Sequence, residues 1–453
     1  MYTVLLSGGS GKRLWPLSND LRSKQYIKVI NNENCEEQPT SMIQRVWKQL
    51  TKAGLSNNCI ITASKGQVEI IKSQLGDEIK IAIEPERRNT FPAVALSCSY
   101  LKTVLHADEN DTVVILPVDP YTDDSYFAKL KEMESILLNS DADIALIGAK
   151  PIEPSSKYGY IMPEVSGNES DYIKVKGFRE KPTKEGASEL IKKGALWNCG
   201  VFCFKIKTIL DKVKSYGLSD DYYQLYNNYS ELPKISFDYE VLEKADNIIA
   251  AEFTGTWKDI GTWNALTEQM YNNTIGNVVL HESCENTSII NELKMPIVAI
   301  GTKDVVISAS VDGILISDKQ QSTRIKDCVD NFTYPPMYEE RRWGTITVLD
   351  TSVRDGIYTS TRKIKIFENM SSSYHYHNDR DEVWTILIGN AEVIINGIKQ
   401  LYSAGDVIRF PAGTKHAVKS LNGIEFLEVQ IGHTFADVDI NRITFNWDEI
   451  DAK

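Results

Sequence analysis

Apolar and polar positions alternate with three different rhythms along this chain. Over the first 150 residues, short apolar runs alternate with amphipathic segments. Tyr2–Leu6, Cys59–Ala63, Ile79–Ile83, Thr112–Val118 and Ile144–Gly148 read as buried strands. Between them, Ser41–Ala53 reads as a helix: Ser41 and Gln44 sit at capping-box spacing, Gly54 follows the end, and Ile43, Val46, Trp47 and Leu50 form one stripe. A second helix starts near Thr90, with Pro92 tolerated in its first turn. Strands alternating with helices predict a mostly parallel sheet covered on both faces. The helical rhythm gives out around Asn264–Met270. Residues 275–330 are short β-branched runs between turns, which predict a small β-solenoid-like spacer. Residues 331–336 read as a linker, and from Trp343 strands dominate to about Gly432. The expected domains are 1–270, 271–335 and 336–453.

Composition narrows the function. With 42% hydrophobic and 25% charged residues, the chain is an ordinary globular protein. A net charge of −12 leaves no broad basic face for nucleic acid or an anionic membrane, so any cation must act locally. No apolar run approaches the ~18 residues of a membrane span, and the N-terminus enters a strand rather than a signal peptide. Seven cysteines without a CxxC pair predict reduced thiols and a cytoplasmic location. Cys199 and Cys203, in a Trp/Phe-rich setting, read as simply buried.

Candidate chemistry begins at Leu6–Ser18, LSGGSGKRLWPLS. Gly8, Gly9 and Gly11 let the backbone turn and approach a ligand, where amides can cradle phosphate or line a base. Lys12, Arg13 and, further on, Lys24 add positive charge. A Walker loop is excluded because Arg13 follows Lys12, and a dinucleotide fingerprint lacks its third glycine. Ligands of α/β sheets bind beyond the carboxyl ends of strands, where both the glycine loop and Asp119 fall. Asp119 and Asp259 each read as a turn cap or as a Mg²⁺ ligand. The residues alone therefore describe a phosphate-binding α/β enzyme with two acidic ligands.

The run Gly-Gly-x-Gly-x-Arg-Leu-Trp-Pro-Leu-Ser resembles the signature of sugar-phosphate nucleotidyltransferases, and its Trp-Pro-Leu-Ser tail resembles the mannose-1-phosphate guanylyltransferase branch. Glu84-Pro-Glu-Arg-Arg-Asn-Thr90, Lys157-Tyr-Gly-Tyr-Ile161, Phe178-Arg-Glu-Lys-Pro182, Trp197-Asn-Cys-Gly-Val201 and Ile235-Ser-Phe-Asp-Tyr-Glu240 resemble further family segments in the family's order. The resemblance implies a Rossmann-like, GT-A-like mixed sheet and the reaction GTP + α-D-mannose 1-phosphate → GDP-mannose + pyrophosphate. It implies that Asp119 and Asp259 bind catalytic Mg²⁺ and that Arg13 and Lys24 hold the nucleotide phosphates. Leu6, Gly8, Gly9, Gly11 and Lys12 would line the nucleotide, with Glu84, Arg88 and Asn89 on the guanine edges. Gly159, Glu180 and Asn198, in sugar-binding loops, would meet the sugar, and Lys181 its phosphate. Pro120 stands where the commoner pattern has histidine. Two rival readings are a guanylyltransferase for a heptose or fucose phosphate and a nucleotide-sugar sensor without turnover.

Three of the six histidines fall in a second pattern. His375-Tyr-His377, Glu382 and Gly389 fit the first cupin motif; Gly405, Pro411, Gly413, His416 and Asn422 fit the second. Residues i and i+2 of a strand face the same way, so His375 and His377 would point into a β-barrel. Glu382 and His416, from neighbouring strands, would complete a site for a divalent transition metal such as Zn²⁺, Co²⁺ or Mn²⁺. The segment resembles the cupin of mannose-6-phosphate isomerases fused behind a guanylyltransferase, which would add fructose 6-phosphate and mannose 6-phosphate as ligands. It departs by carrying Val383 where the family has histidine, which leaves a sugar-binding module or a structural cap open. The barrel and spacer offer surfaces for a homodimer.

Overall fold

A computed structural model describes residues 1–9, 12–31, 39–164, 171–332, 335–433 and 439–450. The chain divides into two units. The first comprises Met1–Ser10, Ser23–Val68 and Glu78–Tyr271; the second comprises Gly11–Arg22, Glu69–Asp77 and Asn272–Lys453.

Eleven strands build the first unit: β1 (Tyr2–Leu6), β2 (Cys59–Ser64), β3 (Ile81–Glu84), β4 (Thr112–Pro117), β5 (Pro120–Thr122), β6 (Ile144–Ala149), β7 (Tyr160–Pro163), β8 (Ile173–Arg179), β9 (Leu196–Lys205), β10 (Ile248–Phe253) and β11 (Trp257–Asp259). Nine of them form one sheet in the order β3-β2-β1-β4-β9-β6-β10-β8-β7. The β1–β4 part is parallel, while β9 runs antiparallel to both β4 and β6, so the sheet is mixed. A separate ribbon pairs β5 with β11. Buried Val4, Ile60, Val113, Ile115, Ile144 and Phe204 pack with the helix Thr90–Thr103 in the main core. The capping box at Ser41 is formed, and Gly54 ends the helix Met42–Ala53 in the left-handed conformation.

Two expectations are corrected here. The third strand begins at Ile81 rather than Ile79, because its pairing with β2 starts at Ile61–Ile81. Trp197–Val201 is not a loop: it lies in β9, whose register shifts opposite Leu146–Gly148 and whose Gly200 takes a φ of 71°. A bulge of this kind re-aims side chains without ending the strand. Cys199 and Cys203 are buried in that strand, and no disulfide links the described cysteines.

The second unit carries short strands β12 (Thr274–Ile275), β13 (Val278–Leu280), β14 (Ser288–Asn291), β15 (Ile297–Ala299) and β16 (Val305–Ser310), with β17 (Gly313–Asp318) last. β12, β14 and β16 stack in parallel, as do β13 and β15, and β17 closes antiparallel on β16. Then come β18 (Tyr338–Arg341), β19 (Gly344–Arg354), β20 (Ile357–Ile366), β21 (Tyr374–His377), β22 (Arg380–Ile388), β23 (Asn390–Ile395), β24 (Ile398–Ser403), β25 (Val407–Phe410), β26 (His416–Ser420), β27 (Ile424–Gly432) and β28 (Ile440–Thr444). They form a six-stranded sheet, β18-β19-β20-β27-β22-β25, and a five-stranded one, β24-β23-β26-β21-β28. Ile366, Trp384, Val393, Phe410, Val418 and Phe426 pack together in the core of this cupin-type β domain. Among the described residues no helix is long and apolar enough to cross a membrane.

Candidate active site and candidate metal centre

Parallel pairing brings the carboxyl ends of β1, β3 and β4 to one edge of the sheet. Gly8 and Gly9 leave β1 there, Glu84 ends β3, and Val118 N donates to Leu6 O at 3.2 Å just before Asp119. Gly9 has a φ of 144°, a conformation that favours glycine. The turn is held from below: Gln25 Nε2 donates to Ser7 O at 2.6 Å, Tyr26 Oη and Ser7 Oγ share a bond at 2.8 Å, and Ser23 Oγ donates to Gly9 O at 2.8 Å. Gly11 lies outside the described residues.

The β5–β11 ribbon sets Asp259 opposite Pro120, hence beside Asp119. Lys24 Nζ lies 2.7 Å from Asp119 Oδ2 and 3.5 Å from Asp259 Oδ1. One ammonium thus bridges two carboxylates that stand far apart in sequence. A pair of acidic oxygens able to share one cation fits a hard divalent ion. Gly261 is required here, since a Cβ on it would lie 2.9 Å from Asp259 Oδ1 and 3.1 Å from Lys24 Nζ.

The remaining residues separate into two groups. Glu84 is buried, bonds Tyr229 Oη at 2.8 Å and sits against Gly8; burial pushes its carboxyl pKa up. Arg88 turns away, its Nε and Nη2 donating to Leu232 O at 3.1 and 3.0 Å and its Nη1 to Glu86. Asn89, at a φ of 77°, caps the helix Thr90–Thr103 through Thr90 N. The charge of Arg87 acts on both Glu84 and Tyr26, drawing each pKa down against the larger effect of burial.

Gly159, Glu180 and Asn198 do come together. A Cβ on Gly159 would lie 2.5 Å from Glu180 Oε2, and Asn198 Nδ2 donates to Asp238 Oδ1 at 2.9 Å. Burial, and then the charge of Glu180, push the Asp238 carboxyl up to about 6. Asp238 was absent from the sequence-derived set, although its segment was recognised. Lys181 is exposed, left-handed at a φ of 42° and paired with Glu180. Lys12 reaches Asp330 at 3.4 Å, and Arg13 is exposed.

In the cupin-type domain, the ligand atoms of His375, His377 and His416 all lie within 4.8 Å of one another. β21 and β26 pair His375 with His416. Glu382 comes from β22 of the other sheet. Its oxygens lie 3.0 Å from His377 Nε2 and 3.3 Å from His416 Nε2. Each histidine directs Nδ1 to a backbone carbonyl: Ser373 O at 2.8 Å, Asp439 O at 3.2 Å and Thr414 O at 2.9 Å. Those bonds fix the tautomer that leaves Nε2 as the inward donor atom. Burial, and then His416, hold the His375 imidazole down to about 3, hence neutral. His416 Nε2 and Glu382 Oε2 are buried without a hydrogen-bond partner. Inward-facing orphan donor atoms in a neutral-imidazole and carboxylate set fit a divalent transition metal.

Comparison with known proteins agrees with this division. The Nucleotidyl transferase family matches residues 2–274, and the Cupin domain family matches residues 368–429. A mannose-1-phosphate guanylyltransferase of Escherichia coli (strain K12) is 27% identical, covering 98% of this chain and 97% of its own. One of Klebsiella pneumoniae is 26% identical over 98% of both. The crystal structure described as mannose-1-phosphate geranyltransferase of Thermus thermophilus superposes with a TM-score of 0.59 at 25% identity, over 73% of this chain and 98% of that one.

Proposed function

This chain belongs to the nucleotidyl transferase family, and on that premise we propose that it transfers GMP from GTP to α-D-mannose 1-phosphate, giving GDP-mannose and pyrophosphate. The observation that carries this reading is the Asp119–Lys24–Asp259 cluster beside the glycine turn. Its guanosine and mannose specificity rests on the named relatives. The functional divisions are 1–270 for transfer, 271–335 as spacer and 336–453 as cupin, in a cytoplasmic homodimer.

The sugar phosphate is largely dianionic at neutral pH, its second pKa being near ~6, so the site needs no strong base. Its oxygen bonds to the α-phosphorus in line, and the α–β bridging P–O bond breaks, its electron pair leaving with pyrophosphate. Asp119 and Asp259 would hold Mg²⁺, which when bound would supply charge neutralisation at the transferring group. Lys24 exchanges its carboxylate partners for phosphate oxygens, joined by Arg13 and Lys12. Leu6, Gly8, Gly9 and Gly11 line the nucleotide, with Glu84 and the charge of Arg87 on its base side; Arg88 and Asn89 shape the turn that presents them. Gly159, Glu180, Asn198 and Asp238 orient the sugar hydroxyls, and Lys181 meets the sugar phosphate.

For the cupin domain, His375, His377, Glu382 and His416 would hold Zn²⁺, Co²⁺ or Mn²⁺, which would polarise a carbonyl oxygen of fructose 6-phosphate or mannose 6-phosphate. The buried Arg380, 3.7 Å from Glu382, supplies positive charge there.

The transfer reading is tested by GDP-mannose formation from GTP, mannose 1-phosphate and Mg²⁺. Asp119→Asn and Asp259→Asn should each lower kcat by about 10²-fold or more, the scale of losing one transition-state charge contact. Inactivity of the wild type with mannose 1-phosphate, or full activity of Asp259→Asn, would overturn it. Interconversion of the two hexose 6-phosphates with each metal tests the cupin; no conversion under any of them assigns it to binding or structure.

A further inference from the structure

A second layer of polar side chains lies buried beneath the glycine turn, entirely within the first unit. Ser7, Ser23, Gln25 and Gln67 are each at most 2% exposed, and none of them is a transfer residue. Just after β2, Ser64 N donates to Gln67 Oε1 at 3.4 Å, which settles the orientation of that carboxamide. Gln67 Nε2 then donates to Ser23 Oγ at 2.7 Å. The Ser23 oxygen is thereby an acceptor on that side, and its single proton goes to Gly9 O, 2.8 Å away. In parallel, Gln25 Nε2 donates to Ser7 O at 2.6 Å and reaches Ser7 Oγ at 3.3 Å. Tyr26 Oη holds the same hydroxyl at 2.8 Å.

Two backbone oxygens of the turn are drawn inward by these bonds. In a trans peptide the carbonyl and the following N–H point in opposite directions. Pinning Ser7 O to Gln25 therefore turns the Gly8 N–H to the other side, and Gly8 is exposed there. A fully satisfied buried network gives little net stability over apolar side chains of the same shape, but it specifies one arrangement. A glycine turn benefits most from such a network, because glycine has the greatest backbone freedom to lose. A turn that ordered itself only around a nucleotide would lose that freedom on binding, and one already fixed does not.

We propose that Ser23, Gln25 and Gln67 are positioning residues for the nucleotide: they hold the Ser7 and Gly9 carbonyls inward so that the Gly8 N–H meets an acceptor oxygen of GTP preordered. This rests on the GTP reading above. Ser23 and Gln25 flank Lys24, so a displaced ammonium is the competing consequence of disturbing them. Displacement of Lys24 would appear in kcat, whereas a loosened turn appears in the KM for GTP.

The test uses the full chain with Ser23→Ala, which removes one oxygen, and Gln25→Met, which keeps the side-chain length without its donor. The KM for GTP should rise about tenfold in each, with kcat and the KM for mannose 1-phosphate within about twofold, the pattern of lost uniform binding. Gln67→Met should raise the KM for GTP by itself and add nothing to Ser23→Ala, because Gln67 acts through that hydroxyl. An unchanged KM for GTP in Ser23→Ala, a loss shared by kcat or by both KM values, or additive losses in the double variant would each overturn the proposal. Should Gln25→Met fail to fold, Ser23→Ala and its combination with Gln67→Met decide alone. If the wild type forms no GDP-mannose, the functional reading fails by itself. Equilibrium dialysis of GTP against wild type and Ser23→Ala then decides this proposal: tenfold weaker binding supports it, and equal binding, or none to either, refutes it.

Discussion

A methyl group at position 159 would lie 2.5 Å from Glu180 Oε2 and 2.6 Å from Phe178 Cζ, so Gly159→Ala must push the carboxylate out of place. Steady-state assays should find the KM for mannose 1-phosphate raised about tenfold and the KM for GTP unchanged. Asp238 makes a prediction of the opposite kind, about stability. Its carboxyl moves from an ordinary 3.8 to about 6 in the folded chain, so between those values the native state binds more protons than the unfolded one. Its contribution to stability is fully present below about pH 4 and lost as pH rises through about 6. Urea unfolding should show that decline in wild type and a flatter profile in Asp238→Asn, which cannot ionise. Gly159, Glu180 and Asn198 were legible because each lies in a motif. Asp238 was not, because its signal is burial beside Glu180, which exists only once β8, β9 and the segment Phe237–Glu240 have met. The hold of Leu232 O on the Arg88 guanidinium was likewise invisible in sequence, because it joins residues 144 apart.

Among the elements, the β5–β11 ribbon contributes most to the site. Its register sets Asp259 opposite Pro120, and a slip of one residue would turn the carboxylate to the other face. Gly261 closes that register, with its N donating to Asp259 Oδ1 at 2.8 Å. Gly261→Ala should therefore displace Asp259, raising the Mg²⁺ concentration needed for half-maximal transfer; an unchanged Mg²⁺ titration would contradict this. The sequence placed Asp119 at a strand end but carried no sign of the ribbon that brings Asp259 beside it, whose three-residue strands are too short for an alternating pattern. Trp197–Val201 reads as a loop in sequence only through its resemblance to a sugar-binding loop of the family. In the fold Gly200 makes a bulge within a continuous strand. The cupin turns were easier. Gly389, with a φ of 86°, would place a Cβ 2.0 Å from Gly423 O, a position where only glycine fits and which its fit to the first cupin motif marked in the sequence.

For the molecule as a whole, the candidate metal centre of the cupin-type domain predicts a response to metal. Zn²⁺ added at about 100-fold above its dissociation constant should stabilise the wild type by ~2.7 kcal/mol. Thermal melts of His416→Ala should show no such gain, because the tautomer-fixed imidazole facing Glu382 is gone. Fold class and order of parts were legible from periodicity and motif order. The composition of the second unit was not, because the chain assigns Gly11–Arg22 to it across long sequence separations. Arg22 and its partner Glu292 are 270 residues apart. A ribosome adding roughly 5–20 residues per second needs roughly 15–55 s to cover that distance. During synthesis β1 emerges first, whereas the partners of Pro16, Asn19 and Arg22 lie at residues 292–312 and follow only with the spacer. A nascent or prematurely terminated chain would thus carry Arg22 without the carboxylate it forks onto, and residues 16–22 would gain these contacts late in translation.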